Sequence, residues 1–239
     1  YVIVKNVAAD GIRKKKEVQM RQEEQRMASI IEVKNATKTI KGAILLSHVD
    51  LQVERGTICG IIGRNGSGKT VLLKSICGFM PLTEGEIWQN GKKVGTDTEF
   101  IEDAGFIIEN PSFLPFKSGY DNLKYLANIR RIADEKRIRE CLEMVGLADS
   151  ADKPVGKYSM GMRQRLGIAQ AIMEDPSLII LDEPMNGLDN QGVEEMRRLF
   201  LRLKQEGKTF LIVSHNREDI EMLCDHVYMM DHGVLTVQR

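Results

Sequence analysis

The stretch "GRNGSGKT" (residues 63–70) decides the fold. It fits G-x-x-x-x-G-K-[ST] at every fixed position. A continuous apolar run, "ICGII" (58–62), precedes it, and "TVLLKSICGF" (70–79), apolar at helical spacing, follows. Strand before and helix after is the context this pattern requires. Gly63, Gly66 and Gly68 let the backbone curl so that successive N–H groups point inward, and their dipoles add to the helix N-terminus. Arg64, Asn65 and Ser67 complete the loop, and Val71 extends the contact set into the helix. Lys69 supplies a point charge suited to β- and γ-phosphates, and Thr70 a hydroxyl suited to Mg²⁺.

A second piece, "LIILDEP" (178–184), is a buried apolar run that emerges into two acids. Successive side chains at a strand end point opposite ways, so Asp182 and Glu183 are expected to do different jobs. Asp182 suits Mg²⁺, and Glu183 suits orienting and deprotonating a water. Together the two pieces predict a nucleotide-hydrolysing P-loop protein. A guanine-reading NKxD is absent, which argues against GTP.

Working outward, "IIEVKNA" (30–36) and "VDLQV" (49–53) alternate and predict antiparallel strands joined through Gly42. "GEIWQNGKKV" (85–94) predicts a hairpin turning at Asn90–Gly91. The middle, about 117–175, predicts helices in "GYDNLKYLANIRRI", "DEKRIRECLEMVGL" and "GMRQRLGIAQAIM". Then follow the "SLIILDEP" strand, a helix over about 190–206, "TFLIVSH" (209–215), a short helix and two closing strands in "HVYMMDHGVLTV". Strands alternating with helices predict an α/β fold with a mostly parallel core sheet. To it are added an antiparallel β lobe and an inserted helical lobe over about 112–165.

The chain has 239 residues, 42% hydrophobic, with 34 basic and 34 acidic side chains. Residues 1–28 hold seven basic and four acidic residues, net +3, leaving 27 basic against 30 acidic, net −3, in the remainder. That opening segment reads as a solvated extension or an added leader ahead of the 29–239 domain. The main body lacks the basic stripe of a nucleic-acid binder. The four cysteines, Cys59, Cys77, Cys141 and Cys224, lack metal spacing and are expected to be reduced packing residues. No window approaches the roughly 18–20 apolar residues needed to cross a bilayer.

One further stretch narrows the class. "YSMGMRQRLGIAQAIM" (158–173) places Ser159 twenty-three positions before Asp182, with Gly161 opening a helix. This order resembles the ABC ATPases, whose signature loop reads LSGGQ before such a helix. Ser159 and Gly161 are kept, while Tyr158, Met160 and Met162 depart. A hydroxyl, a glycine and a helix N-terminus are groups suited to an anion, although a plain N-cap at Ser159 is the alternative. The resemblance covers residues 29–239. It implies that this loop reaches the γ-phosphate of ATP held by a second copy. "NGLD" (186–189) resembles the D-loop, with Asp189 at the dimer seam. His215, thirty-three residues after Asp182, resembles the switch histidine that contacts the γ-phosphate.

Two positions depart from the family pattern. The residue matching the adenine-stacking aromatic is Ile40 in "TKTI", which substitutes an aliphatic face for a ring. In "GFIIENPSF" (105–113), Glu109 stands where the family places a glutamine touching Mg²⁺ and the attacking water. A carboxylate accepts more strongly than an amide but cannot donate when ionised. A structural Glu109 paired with a nearby base is the alternative. "GFIIENPSF…GYDNL" and the "YSxGMxQRL" variant resemble the ATP-binding subunits of lantibiotic-immunity and bacitracin-resistance exporters, which carry a glutamate there.

The resemblance therefore implies a bacterial ATPase using ATP and Mg²⁺, paired as a homodimer over two nucleotides. It implies an integral membrane permease as partner, a cytoplasmic location on the inner face of the membrane, and export of an antimicrobial peptide or drug. A soluble non-transport member, regulatory or cluster-assembling, is the alternative.

Overall fold

The computed structural model describes residues 28–239. The extension read over residues 1–28 lies, but for its last residue, outside the described residues.

Two twelve-residue strands, β1 (Ser29–Ile40) and β2 (Ala43–Glu54), pair antiparallel across a tight turn at Lys41–Gly42. Strand β4 (Glu84–Gln89) joins the other side of β1, and β5 (Lys92–Lys93) closes this sheet in the order β2-β1-β4-β5. The β4–β5 turn has Asn90 at φ 52° and Gly91 at φ 78°. Both are left-handed, as a two-residue primed hairpin requires.

The second sheet holds β3 (Ile58–Ile62), β6 (Ala104–Ile107), β7 (Leu178–Asp182), β8 (Thr209–Ser214), β9 (His226–Asp231) and β10 (Val234–Val237). Its order is β10-β9-β3-β8-β7-β6, parallel from β9 to β6, with β10 antiparallel at the edge. Alternate residues of its central strands feed two separate cores. Ile179, Leu181, Phe210 and Ile212 face one, and Leu178, Ile180, Leu211 and Val213 the other. Burial on both faces explains why these strands are continuous apolar runs.

Helix α1 (Lys69–Ile76) follows β3. Three helices, α2 (Gly119–Arg130), α3 (Glu135–Met144) and α4 (Met160–Ile172), separate β6 from β7. Helix α5 (Asn190–Gln205) links β7 to β8, and α6 (Arg217–Leu223) links β8 to β9. Helices α2 and α3 open on capping side chains, Ser118 accepting from the Asp121 N–H (3.0 Å) and Asp134 from the Arg137 N–H (2.8 Å). Helix α2 ends at Arg130, two residues before the end of the expected "GYDNLKYLANIRRI", because Arg131 turns left-handed, at φ 57°.

The helical insertion sits hard against the sheet at Gly105, where an added Cβ would lie 1.7 Å from the Ala171 carbonyl oxygen. Backbone-to-backbone packing there fixes the height of α4 over β6. All four cysteines are free and buried, and burial pushes the Cys77 and Cys224 thiols up to about 12 and Cys141 to about 11. They pack as small apolar side chains.

Candidate active site

The loop between β3 and α1 is shaped by its glycines at one point above all. Gly68 caps α1 at φ 112°, and a Cβ there would lie 2.8 Å from the Leu45 carbonyl oxygen. A side chain would meet both conformational strain and a clash with β2. Lys69, 6% exposed, folds back over the loop and donates to the carbonyls of Gly63 (2.7 Å) and Arg64 (2.9 Å). Its buried charge is therefore satisfied by the loop and held where phosphates would sit.

Thr70, next along α1, donates through Oγ1 to Asp182 Oδ2 at 2.9 Å. The Asp182 carboxylate also accepts the main-chain N–H of Glu109. Burial raises the Asp182 pKa above its ordinary value, only partly countered by these two hydrogen bonds. Glu183 turns the other way, in a left-handed conformation at φ 51°. Its Oε2 lies 2.8 Å from His215 Nδ1 and 3.3 Å from the His215 main-chain nitrogen. The two adjacent acids thus have different partners, as strand alternation predicts.

Lys69, Thr70, Asp182 and Glu183 line one cavity of about 730 Å³, whereas His215 touches Glu183 without lining it. Asn65, Gly66, Gly68, Lys69, Thr70 and Val71 form its floor, and Asp182, Glu183 and Glu109 bring three carboxylates to it. Gly63, Arg64 and Ser67 do not line it. Glu109 is half turned away: its Oε1 is paired with Lys74 Nζ at 2.7 Å. The apolar wall comes from Ile44 and Leu45. Ile40, expected to meet adenine, does not line the cavity. It sits at the hairpin tip paired with Ala43, and the turn brings Ile44 to the rim in its place.

Ser159, Gly161 and Asp189 also stand outside this cavity. Ser159 Oγ accepts from the Met162 N–H (3.1 Å) and caps α4, and Asp189 Oδ1 accepts from the Gly192 N–H (2.8 Å) and caps α5. The two loops touch each other: a Cβ on Gly161 would lie 2.8 Å from the Gly187 carbonyl oxygen.

The comparisons with known proteins agree on what this arrangement is. The family model described as ABC transporter matches residues 46–186, more than half of the chain. The ABC transporter ATP-binding protein YybJ of Bacillus subtilis is 43% identical over 206 residues, covering 86% of this chain and 94% of the relative. This chain belongs to the ABC transporter ATP-binding family. The bacitracin transport ATP-binding protein of Bacillus licheniformis is 40% identical, covering 87% of this chain and 69% of that protein. The lantibiotic transport ATP-binding protein of Streptococcus pyogenes is 33% identical, covering 88% and 90%. Among solved structures, a dimeric ATP-binding cassette in a post-hydrolysis state with ADP and Pi superposes with a TM-score of 0.78. It is 26% identical and covers 87% of this chain and 97% of that one.

The protein is thus an ATP-binding ATPase of the ABC class, built on the α/β P-loop fold. A hydroxyl and a buried carboxylate, Thr70 and Asp182, are hard oxygen donors that suit a divalent cation. Among the described residues no cluster of three or more His, Cys, Asp or Glu side chains can hold a metal. A cation here would depend on phosphate oxygens for its remaining ligands, as Mg²⁺ does at nucleotides.

Two contributions of this ABC ATPase escaped the sequence analysis. Gln164, on α4, donates to the carbonyls of Glu183 (3.2 Å) and Pro184 (3.1 Å), and it lines the cavity. The β9–β10 turn presses on the phosphate loop, the Gly233 N–H donating to the Ser67 carbonyl at 2.8 Å. Gln164 sits inside the quoted signature helix and was legible as a polar residue on an otherwise buried face. The turn carries no motif at all.

Proposed function

We propose that this ATPase works as a pair of identical copies closed head-to-tail over two ATP molecules, and that it drives a separate membrane permease from the cytoplasmic face. The carrying observation is the convergence on one cavity of Lys69, the Thr70–Asp182 hydrogen bond and Glu183, whose carboxylate His215 contacts from outside the lining. The domain is taken as residues 29–239, with the helical lobe over about 112–165.

Main-chain N–H groups between Gly63 and Thr70, with Lys69, grip the β- and γ-phosphates. Thr70 and Asp182, approached by Glu109, would hold Mg²⁺, which supplies neutralisation of the triphosphate's charge. Glu183 takes the proton of the attacking water, and His215 orients that carboxylate and reaches the γ-phosphate. Adenine rests on Ile44 rather than Ile40. Either residue is aliphatic, so about 1 kcal/mol of aromatic stacking is forgone.

Ser159 and Gly161 are suited to an anion yet do not line their own chain's cavity. That favours their completing the site of a second copy, with Asp189 at the seam. Loss of the γ-phosphate then lets the pair reopen, an order–disorder device familiar from other nucleotide switches. The loop from Glu109 to Tyr120 carries the motion to the permease. Two relatives named for bacitracin and lantibiotic transport favour an exported peptide antibiotic or drug as cargo. The same names favour transport over a free-standing regulatory ATPase.

Glu183→Gln is expected to bind ATP with Mg²⁺, to stop hydrolysis and to accumulate as a dimer in light scattering. A Glu183→Gln protein that stays monomeric in saturating ATP and Mg²⁺ would rule out the closed pair. Co-purification with an integral membrane subunit tests the permease.

A further inference from the structure

We infer that Lys74 is a positioning residue that competes with the cation for the Glu109 carboxylate, and so sets how much Mg²⁺ the site needs. This rests on the proposal that Glu109 approaches Mg²⁺.

Glu109 is held at two ends. Its main-chain N–H donates to the Asp182 carboxylate, which fixes the residue beside the Thr70–Asp182 pair. Its side chain is drawn outward by Lys74, with Nζ 2.7 Å from Oε1. Lys74 lies one helical turn beyond Thr70 on α1, so it is fixed to the element that carries the phosphate loop. It does not line the cavity, whereas Glu109 does.

The charges explain why such a partner is needed. Three carboxylates, Asp182, Glu183 and Glu109, face one cavity, and the Lys69 ammonium is already engaged by two carbonyls of its own loop. Before nucleotide and cation arrive, the third acid would be repelled by the other two. Lys74 offsets that repulsion. A carboxylate gripped by an ammonium is not fully available to a cation, so one interaction must yield to the other. A glutamine in place of Glu109 would carry no charge for Lys74 to hold, which ties the role of Lys74 to the acid.

The test titrates Mg²⁺ against the full chain at a fixed concentration of a fluorescent ATP analogue and reads the half-saturating Mg²⁺ concentration from fluorescence. Lys74→Met is expected to lower that concentration about two- to fivefold, the range set by an exposed ion pair. Lys74→Arg, which keeps the charge, is expected to restore the wild-type value. In a Glu109→Gln background Lys74→Met is expected to shift nothing further. An equal shift in both backgrounds, or none where Glu109→Gln itself moves the half-point, overturns the role of Lys74 alone. An unchanged half-point in Glu109→Gln overturns the placement of Glu109 at the cation, and this inference with it.

Discussion

Gln164 and Glu183 are joined side chain to main chain: the amide Nε2 donates to the Glu183 carbonyl at 3.2 Å and to the neighbouring Pro184 carbonyl at 3.1 Å. One buried side chain therefore ties the helix that carries Ser159 to the strand end that carries both acids. A shift of α4 would be felt at the main chain that carries the Glu183 carboxylate.

Replacing Gln164 by leucine keeps the volume and removes both donors. The Glu183 carbonyl keeps the Asn186 N–H, but leaving the buried Pro184 carbonyl without its donor costs about 1–3 kcal/mol. At this chain length the melting temperature should fall about 2–4 °C for each kcal/mol. ATP turnover should fall further than stability explains, because Glu183 loses its tether to α4. Thermal melts and steady-state ATPase assays check this, and a Gln164→Leu protein unchanged in both would show the tether to be incidental.

Asp182 makes the opposite kind of prediction. Burial holds its folded-state pKa above the ordinary 3.8, so folding favours the protonated form. Its contribution is fully favourable below the ordinary value and is lost as pH rises through the raised one. Above the raised value the nucleotide-free protein carries that cost in full. Asp182→Asn should then raise the nucleotide-free melting temperature at pH 7, with the gain vanishing near the ordinary carboxylate pKa. The same variant should lose Mg²⁺-dependent ATP binding, a trade of function for stability. A lower melting temperature at pH 7 would contradict the burial argument.

What was legible in the sequence was local. The 63–70 loop, the 90–91 turn and the paired acids at 182–183 each depend on residues within a few positions, and motif and periodicity capture them. What was not legible depends on where distant segments meet. The exchange of Ile44 for Ile40 turns on how the β1–β2 hairpin tip lies over the cavity. The support of Ser67 by Gly233 comes from a turn 166 residues away, without any chemical signature of its own. Lys74 was visible only as a helix residue until Glu109, 35 positions on, was found against it.

Arg197 and Asp219 form a buried pair, 7% and 3% exposed at their side chains, with Nε 3.0 Å from Oδ1. The pair bolts α5 to α6, the helix that begins two residues after His215. Arg197→Leu would strand a buried carboxylate, at a cost of about 3–5 kcal/mol. Adding Asp219→Leu should recover much of that loss, since a buried pair replaced by apolar groups is often near neutral. Urea unfolding of the single and double variants measures both steps. A single variant as stable as the parent would mean that the carboxylate finds water instead.

Gly161→Ala separates folding from pairing. Alanine improves on glycine in a helix by roughly 0.5–1 kcal/mol, so the substitution is not costly through backbone conformation. The contact is what changes: the new Cβ would lie 2.8 Å from the Gly187 carbonyl oxygen, and backbone rather than a side-chain tip must move. Gly187 is itself fixed at φ 77° with the Met160 side chain packed against it. The displacement is therefore passed along to Asn186 and Asp189, on the loop proposed to form the seam. Melting should shift little, because the helical gain and the local clash oppose each other. In a Glu183→Gln background, however, the ATP concentration needed for half-maximal dimerisation should rise about tenfold, a change of about 1.4 kcal/mol. Light scattering across an ATP titration reads this directly. If Gly161→Ala dimerises as readily as its parent, the loops at 159–161 and 186–189 do not meet the second copy, and the pairing surface lies elsewhere.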